Sequence, residues 1–349
     1  METDLVAIVA LLALASSCPA LTITRTYVEA GQTFPEYGGT AGGAPANAVG
    51  GGGLYNVFNA AADWWEMAIA DSHTVEAVFG WEPLAGSTLA VSTQYVDPQP
   101  PEIGKVAFDN DLSSSFYLDP IPYDNVEFTS YSQYADDLGG GTVNTGRVYT
   151  GASGYADGNI DLFSVALHEI GHLLGINGLS HGAIRVTEPL PYAGTRIPMT
   201  GDGHIDISTA LMYPYTTSSK RTLTSAVDIL GAAEPSGFVS VDTAPSFPFI
   251  LYGDLDDSGY VGQMDLDTVL DKWSQSVSYG NPADPSGDGF VGQIDLDIVL
   301  DYWGQSLPPT QGESPPVPEP TTLLLLSLGA LAGAGPIRRR QIRRQSTDA

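Results

Sequence analysis

His168-Glu169-Ile170-Gly171-His172 lies inside a largely apolar run and decides most of the interpretation of this chain. On a helix, side chains four residues apart project from the same face, so the two imidazoles can hold one metal ion. Glu169 follows the first imidazole directly, where its carboxylate can reach a water on that ion without being a ligand itself. The pattern predicts a zinc-binding helix with His168 and His172 as two ligands and Glu169 as the catalytic general base.

The residues around this pentapeptide make the pattern more specific. The helix continues as Leu173-Leu174-Gly175, and residues 208–214 read STALMYP. Together these segments resemble the zinc helix and the methionine turn of the metzincin metallopeptidases, most closely the matrixin branch. The resemblance covers residues 54–237 and implies an α+β, zincin-like catalytic domain with a mixed sheet and an active-site helix. It also implies that Met212 forms an apolar floor beneath the zinc and that Pro214 begins the wall of the substrate pocket.

The third zinc ligand is the point at which the chain departs from that family. A catalytic zinc needs three protein ligands and one open position. In most metzincins the third ligand follows Gly175 by three residues, but that position is Gly178, which has no side chain. The nearest donor is His181, which we expect to be the third ligand. His204, just upstream of the methionine turn, is the main alternative.

The resemblance implies a function as well as a fold. We expect an exported zinc metalloendopeptidase that hydrolyses peptide bonds in extracellular proteins, with Glu169 as general base on the zinc-bound water. A catalytically inactive, surface-displayed protein for calcium-dependent binding or adhesion is the alternative, and the missing ligand at position 178 favours it. A zinc hydrolase acting on another polymer, such as a polysaccharide, is a third interpretation. Cys18 is the only cysteine and lies in the N-terminal apolar stretch, so the matrixin cysteine switch is excluded.

An internal repeat follows the region of the zinc motif. Residues 254–265 recur as residues 284–295, and each copy leads into a run with apolar residues at helical spacing. Each copy has oxygen-bearing side chains at loop positions 1, 3, 5 and 12 and glycine at position 6, which is calcium-loop spacing of the EF-hand type, with the backbone carbonyl of position 7 as a further ligand. The candidate calcium ligands are Asp254, Asp256, Ser258, Tyr260 and Asp265, then Asp284, Ser286, Asp288, Phe290 and Asp295.

Two such loop-plus-helix units in tandem resemble the dockerin type I fold, which implies two bound Ca²⁺ ions. Two acidic surface turns without bound ions are the alternative. Gln263-Met264 and Gln293-Ile294 stand where dockerins carry the small hydroxyl residues that recognise cohesins. We therefore expect a surface or matrix partner for this module and do not extend the cohesin partner to it.

The charge of the chain limits its partners. Among 349 residues, 41 are acidic and 13 basic, and the formal net charge is −28. Such a surface repels phosphate backbones, which argues against nucleic-acid binding, and it suits a protein that collects divalent cations.

Both termini carry export signals. The apolar stretch Leu5–Leu14 predicts a secretory signal peptide, with a lipoprotein cleavage box ending at Cys18 as the alternative. Near the other end, Val317-Pro318-Glu319-Pro320 precedes an apolar run and an arginine cluster, an order that resembles the PEP-CTERM surface-sorting signal. A plain C-terminal membrane anchor is the alternative and predicts the same orientation, because arginines stay on the cytoplasmic side. Either way we expect an extracellular or cell-surface protein that contacts the membrane through this segment before sorting.

These observations predict an order of segments along the chain. The segments are a signal peptide at 1–20, a flexible lead-in or short propeptide at 21–53, a peptidase domain at 54–237, a linker at 238–250, the calcium-binding module at 251–307, a Pro-rich linker at 308–320 and the sorting segment at 321–349. Within the peptidase domain we expect helices at 54–69, 161–174 and 223–233, strands at 74–81, 87–96 and 104–108, and an insertion at 112–158. Asp161 is the expected N-cap of the zinc helix.

Overall fold

A computed structural model describes residues 20–94, 102–177, 182–187, 191–247 and 250–307. The predicted linker 308–320, the sorting segment and all but the last residue of the predicted signal peptide lie outside these ranges. The strands are β1 (Thr22–Tyr27), β2 (Thr74–Glu82), β3 (Ala90–Gln94), β4 (Ile103–Asp109), β5 (Phe116–Tyr117), β6 (Phe128–Asp137), β7 (Thr142–Ala152), β8 (Ile160–Asp161), β9 (Ala183–Arg185), β10 (Arg196–Pro198) and β11 (Arg221–Leu223). The helices are α1 (Leu54–Ala68), α2 (Leu162–Leu173), α3 (Ala226–Ser236), α4 (Gln263–Asp271) and α5 (Gln293–Asp301).

A mixed sheet in the order β1-β2-β4-β3 forms the frame of the molecule. β1, β2 and β4 run parallel, whereas β3 is antiparallel to β4 and forms one edge. β2 and β4 are almost continuously buried, as expected for parallel strands covered on both faces. The strands predicted at 74–81 and 104–108 are confirmed, and the strand predicted at 87–96 is described as β3 only over Ala90–Gln94.

The prediction of a flexible lead-in over residues 21–53 is wrong. Its first residues form β1, which pairs with β2 from Thr22↔Thr74 to Tyr27↔Phe79, and Ile23 is buried in the main core. The glycines near its end allow close backbone approach: a Cβ on Gly52 would lie 2.3 Å from the Asp119 carbonyl oxygen, and one on Gly53 would meet the Gly287 carbonyl oxygen. Glycine-rich composition reflects tight packing here, because only a residue without Cβ fits such contacts.

The helices α1 and α2 pack on the sheet through the apolar faces that the sequence predicts. Phe58 of α1 stacks on Phe79 of β2 with ring centroids 3.9 Å apart. The Trp65 indole N–H of α1 donates to the Leu167 carbonyl of α2 over 2.9 Å, which satisfies the polar atom of a fully buried ring. These contacts fix the position and direction of α2 relative to α1 and the sheet, and α2 is the helix that carries the two motif histidines.

The segment predicted as an insertion at 112–158 forms β5 and a long hairpin of β6 and β7. The hairpin is joined by β11 into an antiparallel sheet in the order β11-β7-β6. The helix predicted at 223–233 is α3, which begins at Ala226 because Arg221–Leu223 pair with β7 and Ser225 caps the helix. It ends at Gly237, whose φ of +70° is the left-handed conformation that glycine adopts readily.

The repeat region forms α4 and α5 around a small apolar core of its own, which includes Val261, Val269, Val291 and Val299. The chain divides into compact units of residues 1–306 and 307–349, so the repeat region belongs to the same unit as the sheet. Within the described residues no helix is long and apolar enough to cross a membrane.

Candidate metal centre

The motif histidines lie on α2, and its start follows the expected capping pattern. The Asp161 carboxylate accepts hydrogen bonds from the Ser164 backbone N–H at 3.1 Å and from its hydroxyl at 2.6 Å. This confirms Asp161 as the N-cap, which satisfies a donor that the first turn of a helix leaves unpaired. Gly175, just beyond the helix, has a φ of +123°, which favours glycine at the point where the chain leaves α2.

Three imidazoles meet at this end of α2: those of His168, His172 and His204. The Nε2 atom of His172 lies 3.1 Å from that of His168 and 3.3 Å from that of His204. Tetrahedral zinc with Zn–N bonds of about 2.0–2.1 Å places two ligand nitrogens about 3.3 Å apart. The three nitrogens therefore have the spacing of a zinc ligand set.

The second ring nitrogen of each imidazole faces a hydrogen-bond acceptor. Nδ1 of His168 lies 2.9 Å from the Leu211 carbonyl oxygen, Nδ1 of His172 contacts the Ile176 carbonyl, and Nδ1 of His204 lies 3.2 Å from the Asp202 carboxylate. Such acceptors hold the proton on Nδ1, which leaves the Nε2 lone pair for a metal. Burial lowers the pKa of His168 well below its usual value and that of His172 to about 4, so both rings are neutral, as ligands must be.

The structure brings His204, the alternative of the sequence analysis, into the imidazole cluster. Its loop is shaped by Thr200, whose hydroxyl accepts from the His204 N–H at 3.0 Å and whose backbone N–H donates to the His204 carbonyl at 2.8 Å. His181, the expected third ligand, lies outside the described residues, as does Gly178. The cluster contains three imidazoles without that of His181.

Glu169 is buried beside the imidazoles, between α2 and the edge strand β3. Burial raises the pKa of its carboxyl to about 8, and a hydrogen bond from the Ser92 backbone N–H of β3 acts in the opposite direction. Burial alone thus favours the neutral carboxyl, whereas a cation held by the neighbouring imidazoles would favour the carboxylate. Glu169 and His168 line the same cavity.

Met212 is fully buried and packs against α2 at Gly171. A Cβ on Gly171 would lie 2.4 Å from the Met212 sulfur, so the glycine within the histidine motif makes room for the methionine. The turn is held by Asp228 of α3, whose carboxylate accepts from the backbone N–H groups of Leu211 at 3.2 Å and Met212 at 2.9 Å. The sequence analysis missed Asp228, although its position three residues after Ser225 matches capping-box spacing.

A cavity of about 550 Å³ opens in front of His168 and Glu169. Its lining includes residues 87–90, which lead into β3, His204, residues 213–216, Lys220 and Thr222. Pro214 is among these lining residues, on the wall where the resemblance implies it. The cavity is large enough for one or two side chains of an extended peptide.

A buried ion cluster anchors the start of α2 from below. The fully buried Arg221 guanidinium donates to the Asp161 carboxylate at 2.9 and 3.0 Å and to Asp119 at 2.6 Å. Burial alone would lower the pKa of Arg221, but the two carboxylates outweigh it and raise the pKa, so the guanidinium stays charged. Sequence reasoning missed this cluster because no local pattern connects the three positions.

The first repeat loop holds three carboxylates in the predicted ligand positions. Oxygen atoms of Asp254, Asp256 and Asp265 lie within 4.8 Å of one another. Asp265 also accepts from the backbone N–H groups of Leu255 at 2.7 Å and Gly262 at 2.8 Å, which ties the end of the loop to its beginning. Ser258 donates its hydroxyl to the Tyr260 carbonyl over 3.1 Å, so these two candidate ligands also meet within the loop.

The second loop repeats this arrangement in a more buried setting. Asp284 accepts from the backbone N–H of Gly289 at 2.9 Å and from the Ser286 hydroxyl at 3.0 Å, and Asp295 accepts from the Ser286 N–H at 3.1 Å. Burial raises the pKa of Asp284 to about 6, and the nearby Asp295 and Asp288 carboxylates act in the same direction. Asp288 accepts from the Phe290 backbone N–H at 2.8 Å, which joins the third and fourth candidate ligands of the loop.

Comparison with known proteins bears on the C-terminal end alone. Residues 316–344 match the family model of the PEP-CTERM protein-sorting motif. No curated protein is similar enough to this chain to count as a match. The sorting motif confirms the prediction made from the Pro-Glu-Pro segment, and the chain is therefore an exported protein that is sorted towards the cell surface.

Proposed function

We propose that the protein is a secreted zinc-dependent metalloendopeptidase that cleaves extracellular protein substrates. The observation that carries this proposal is the convergence of His168, His172 and His204 at zinc-ligand spacing, with Glu169 beside them in an open cleft. A structural zinc site would close the fourth position with another protein ligand, whereas a catalytic one leaves it accessible. The cavity in front of the imidazoles supports the catalytic type.

The donor set fits zinc better than a harder cation. Three neutral imidazoles suit zinc, while Ca²⁺ and Mg²⁺ prefer oxygen ligands. Zinc, when bound, supplies a Lewis acid that polarises a carbonyl and makes water a better nucleophile at neutral pH. We assign His204 as the third ligand in place of His181.

Glu169 performs the proton transfers in this proposal. Its carboxylate accepts a proton from the water that attacks the peptide carbonyl, then returns it to the nitrogen of the leaving amine. The Ser92 N–H orients the carboxylate, and β3, an edge strand of the sheet, offers backbone groups along which an extended substrate can lie. Met212 supports the imidazoles from below and takes no part in proton transfer.

The decisive experiment compares wild type with Glu169→Gln on an unstructured protein substrate, with zinc measured by elemental analysis. We expect about one zinc per chain in both proteins and a loss of cleavage of at least 100-fold in the variant, because general-base catalysis contributes about 10²–10⁴-fold. Cleavage by the variant at the wild-type rate contradicts the mechanism. Absence of tightly bound zinc in wild type contradicts the enzyme and favours the surface-binding alternative.

A second pair of variants tests the ligand assignment. His204→Ala should lose zinc and activity, whereas His181→Ala should retain both, because the first removes an imidazole from the cluster. The opposite result assigns the third position to His181. His73→Ala is the control for histidine substitution, since His73 is remote from the cluster in the fold and packs near Phe238.

We also propose that the two repeat loops each bind one Ca²⁺. The three carboxylates of the first loop lie close together, and Asp288 and Asp295 act on Asp284 in the second. No lysine or arginine of the described residues forms an ion pair with either group, and such clusters are stabilised by a divalent cation. Isothermal titration of metal-free protein with Ca²⁺ should give two sites, and Asp265→Ala and Asp295→Ala should each remove one. Two sites in either variant would contradict the assignment.

A further inference from the structure

Among the described residues that line the cavity in front of His168, Lys220 is the only lysine or arginine and Glu169 is the only carboxylate. The cavity wall around Lys220 is otherwise uncharged, formed by residues such as Tyr213, Pro214 and Thr222. A single positive charge in such a wall is the strongest electrostatic feature that a bound side chain would meet.

The direction of Lys220 follows from its neighbour in the chain. Side chains alternate along extended backbone, and Arg221 points inward to Asp119 and Asp161. Lys220 and Thr222 therefore face the opposite side, and both line the cavity. The buried Arg221 cluster fixes this alternation, so the lysine cannot turn inward without breaking two ion pairs.

The Lys220 ammonium has no ion-pair or hydrogen-bond partner among the described residues. Burial lowers the pKa of this lysine, and no neighbouring charge contributes. In a protein with a net charge of −28, an unpaired, half-buried cation is an exception. A partly desolvated charge gains more from an incoming counter-charge than an exposed one does.

We propose that Lys220 makes the cleft selective for substrates that carry an acidic side chain next to the scissile bond. This inference rests on the proposed peptidase function, since it names the substrate class of the same site. The incoming carboxylate pairs with the ammonium and replaces the water that solvates it in the free enzyme. An uncharged isostere such as glutamine makes at most a neutral hydrogen bond there, and a lysine is repelled.

The first test uses peptides that differ only in the residue on either side of the scissile bond, as Glu, Gln or Lys. Wild type should cleave the best Glu peptide with a kcat/KM on the order of 10-fold or more above its Gln counterpart, as expected for a charged hydrogen bond in a partly dry site. Lys220→Gln should abolish this ratio, Lys220→Arg should keep it, and Lys220→Glu should favour the Lys peptide. Lys272→Gln is the control, because Lys272 is exposed beyond α4 and lies outside the cavity.

The second test measures binding without turnover. The same peptides, fluorescently labelled, are titrated against Glu169→Gln and against Glu169→Gln/Lys220→Gln, and only the first should bind the Glu peptide more tightly than the Gln peptide. Wild type that cleaves Glu and Gln peptides equally overturns the inference while the peptidase function stands. If wild type cleaves none of the peptides, the proposed peptidase function is contradicted. Equal binding of the Glu and Gln peptides to Glu169→Gln overturns the inference on Lys220 independently of that result.

Discussion

The two copies of the repeat share a ligand pattern but lie in different surroundings. In the first loop Asp256, Asp257 and Ser258 are exposed. In the second, Asp284 and Ser286 are buried, and the loop packs on the N-terminal end of α1. The ligand pattern of a loop predicts which ion the loop can bind. The contacts between the loop and the rest of the protein decide which elements a bound ion would stabilise.

Several contacts join the second loop to α1. The Gly53 N–H donates to the Ser286 carbonyl at 3.0 Å, and the Asn56 side-chain amide donates to the Pro285 carbonyl at 2.6 Å. Beside them the Tyr279 ring packs edge-on against Tyr27 of β1, with centroids 4.6 Å apart. An ion bound in the second loop would therefore fix the Pro285 and Ser286 carbonyls, which accept from the N-terminal end of α1.

Two of the differences in sequence between the loops, at positions 3 and 4, follow from this packing. Ser286 replaces Asp256 and is fully buried under Gly53, where a larger charged side chain has no room. Gly287 replaces Asp257, and both have positive φ, +71° and +56°. A Cβ on Gly287 would lie 2.2 Å from Cγ of Asn56, whereas Asp257 is exposed and tolerates the same backbone conformation with a side chain.

The largest effect should come from removing the last ligand of each loop. Asp295→Ala should abolish most of the rise in Tm that Ca²⁺ gives the unit containing α1, since binding at 100 times the Kd stabilises by about 2.7 kcal/mol. Asp265→Ala is the matched variant and should reduce protection only near α4. Hydrogen exchange of the α1 amides, with and without Ca²⁺, is the measurement, and equal effects of the two variants would remove the distinction between the loops.

Exchanging position 4 between the copies should have the next largest effect. Gly287→Asp brings a Cβ and a charge against Asn56 and should destabilise the protein by about 2 kcal/mol, as overpacked contacts do. The reciprocal Asp257→Gly should change stability by less than about 1 kcal/mol, because that site is open and glycine suits its φ. Chemical denaturation in saturating Ca²⁺ measures both, and a large loss in Asp257→Gly alone would invert the comparison.

The smallest effect concerns a single hydrogen bond. Asn56→Ala removes the donor to the Pro285 carbonyl and should cost about 1 kcal/mol. In the Asp295→Ala background the same substitution should cost less, because the loop is no longer held by its ion. A double-mutant cycle gives the coupling energy directly. Strict additivity would show that the ion and the α1 contact are independent.

Local patterns in the sequence were sufficient to predict α1, α2, β2 and β4. The apolar residues that each element buries follow one another in a recognisable pattern within a single short segment. Asp161 marked the start of α2, because the preference for an N-cap residue is also local. The third imidazole was harder to choose. His204 is more than thirty residues from His172 in the chain. Its approach to the other two imidazoles depends on the turn at Thr200 and on the position of the turn at Met212. Neither turn has a local sequence pattern that predicts this approach.

Other features were missed because their cause is tertiary. The glycines before α1 resembled a flexible segment by composition, and only the approach of Asp119 and Gly287 explains them. Arg221 lies in a short polar stretch that gives no sign of complete burial, which its two carboxylate partners make favourable. The β6–β7 hairpin is mostly exposed on β6, so its alternation carries no strong apolar signal.

The position of β1 also bears on any processing of the chain ahead of α1. Trimming the chain back to α1 would strip an outer strand from the parallel ladder, uncover the backbone of Val75 and open a void where Ile23 sits. Cleavage between β1 and α1 would therefore remove a strand of the sheet together with part of the main core.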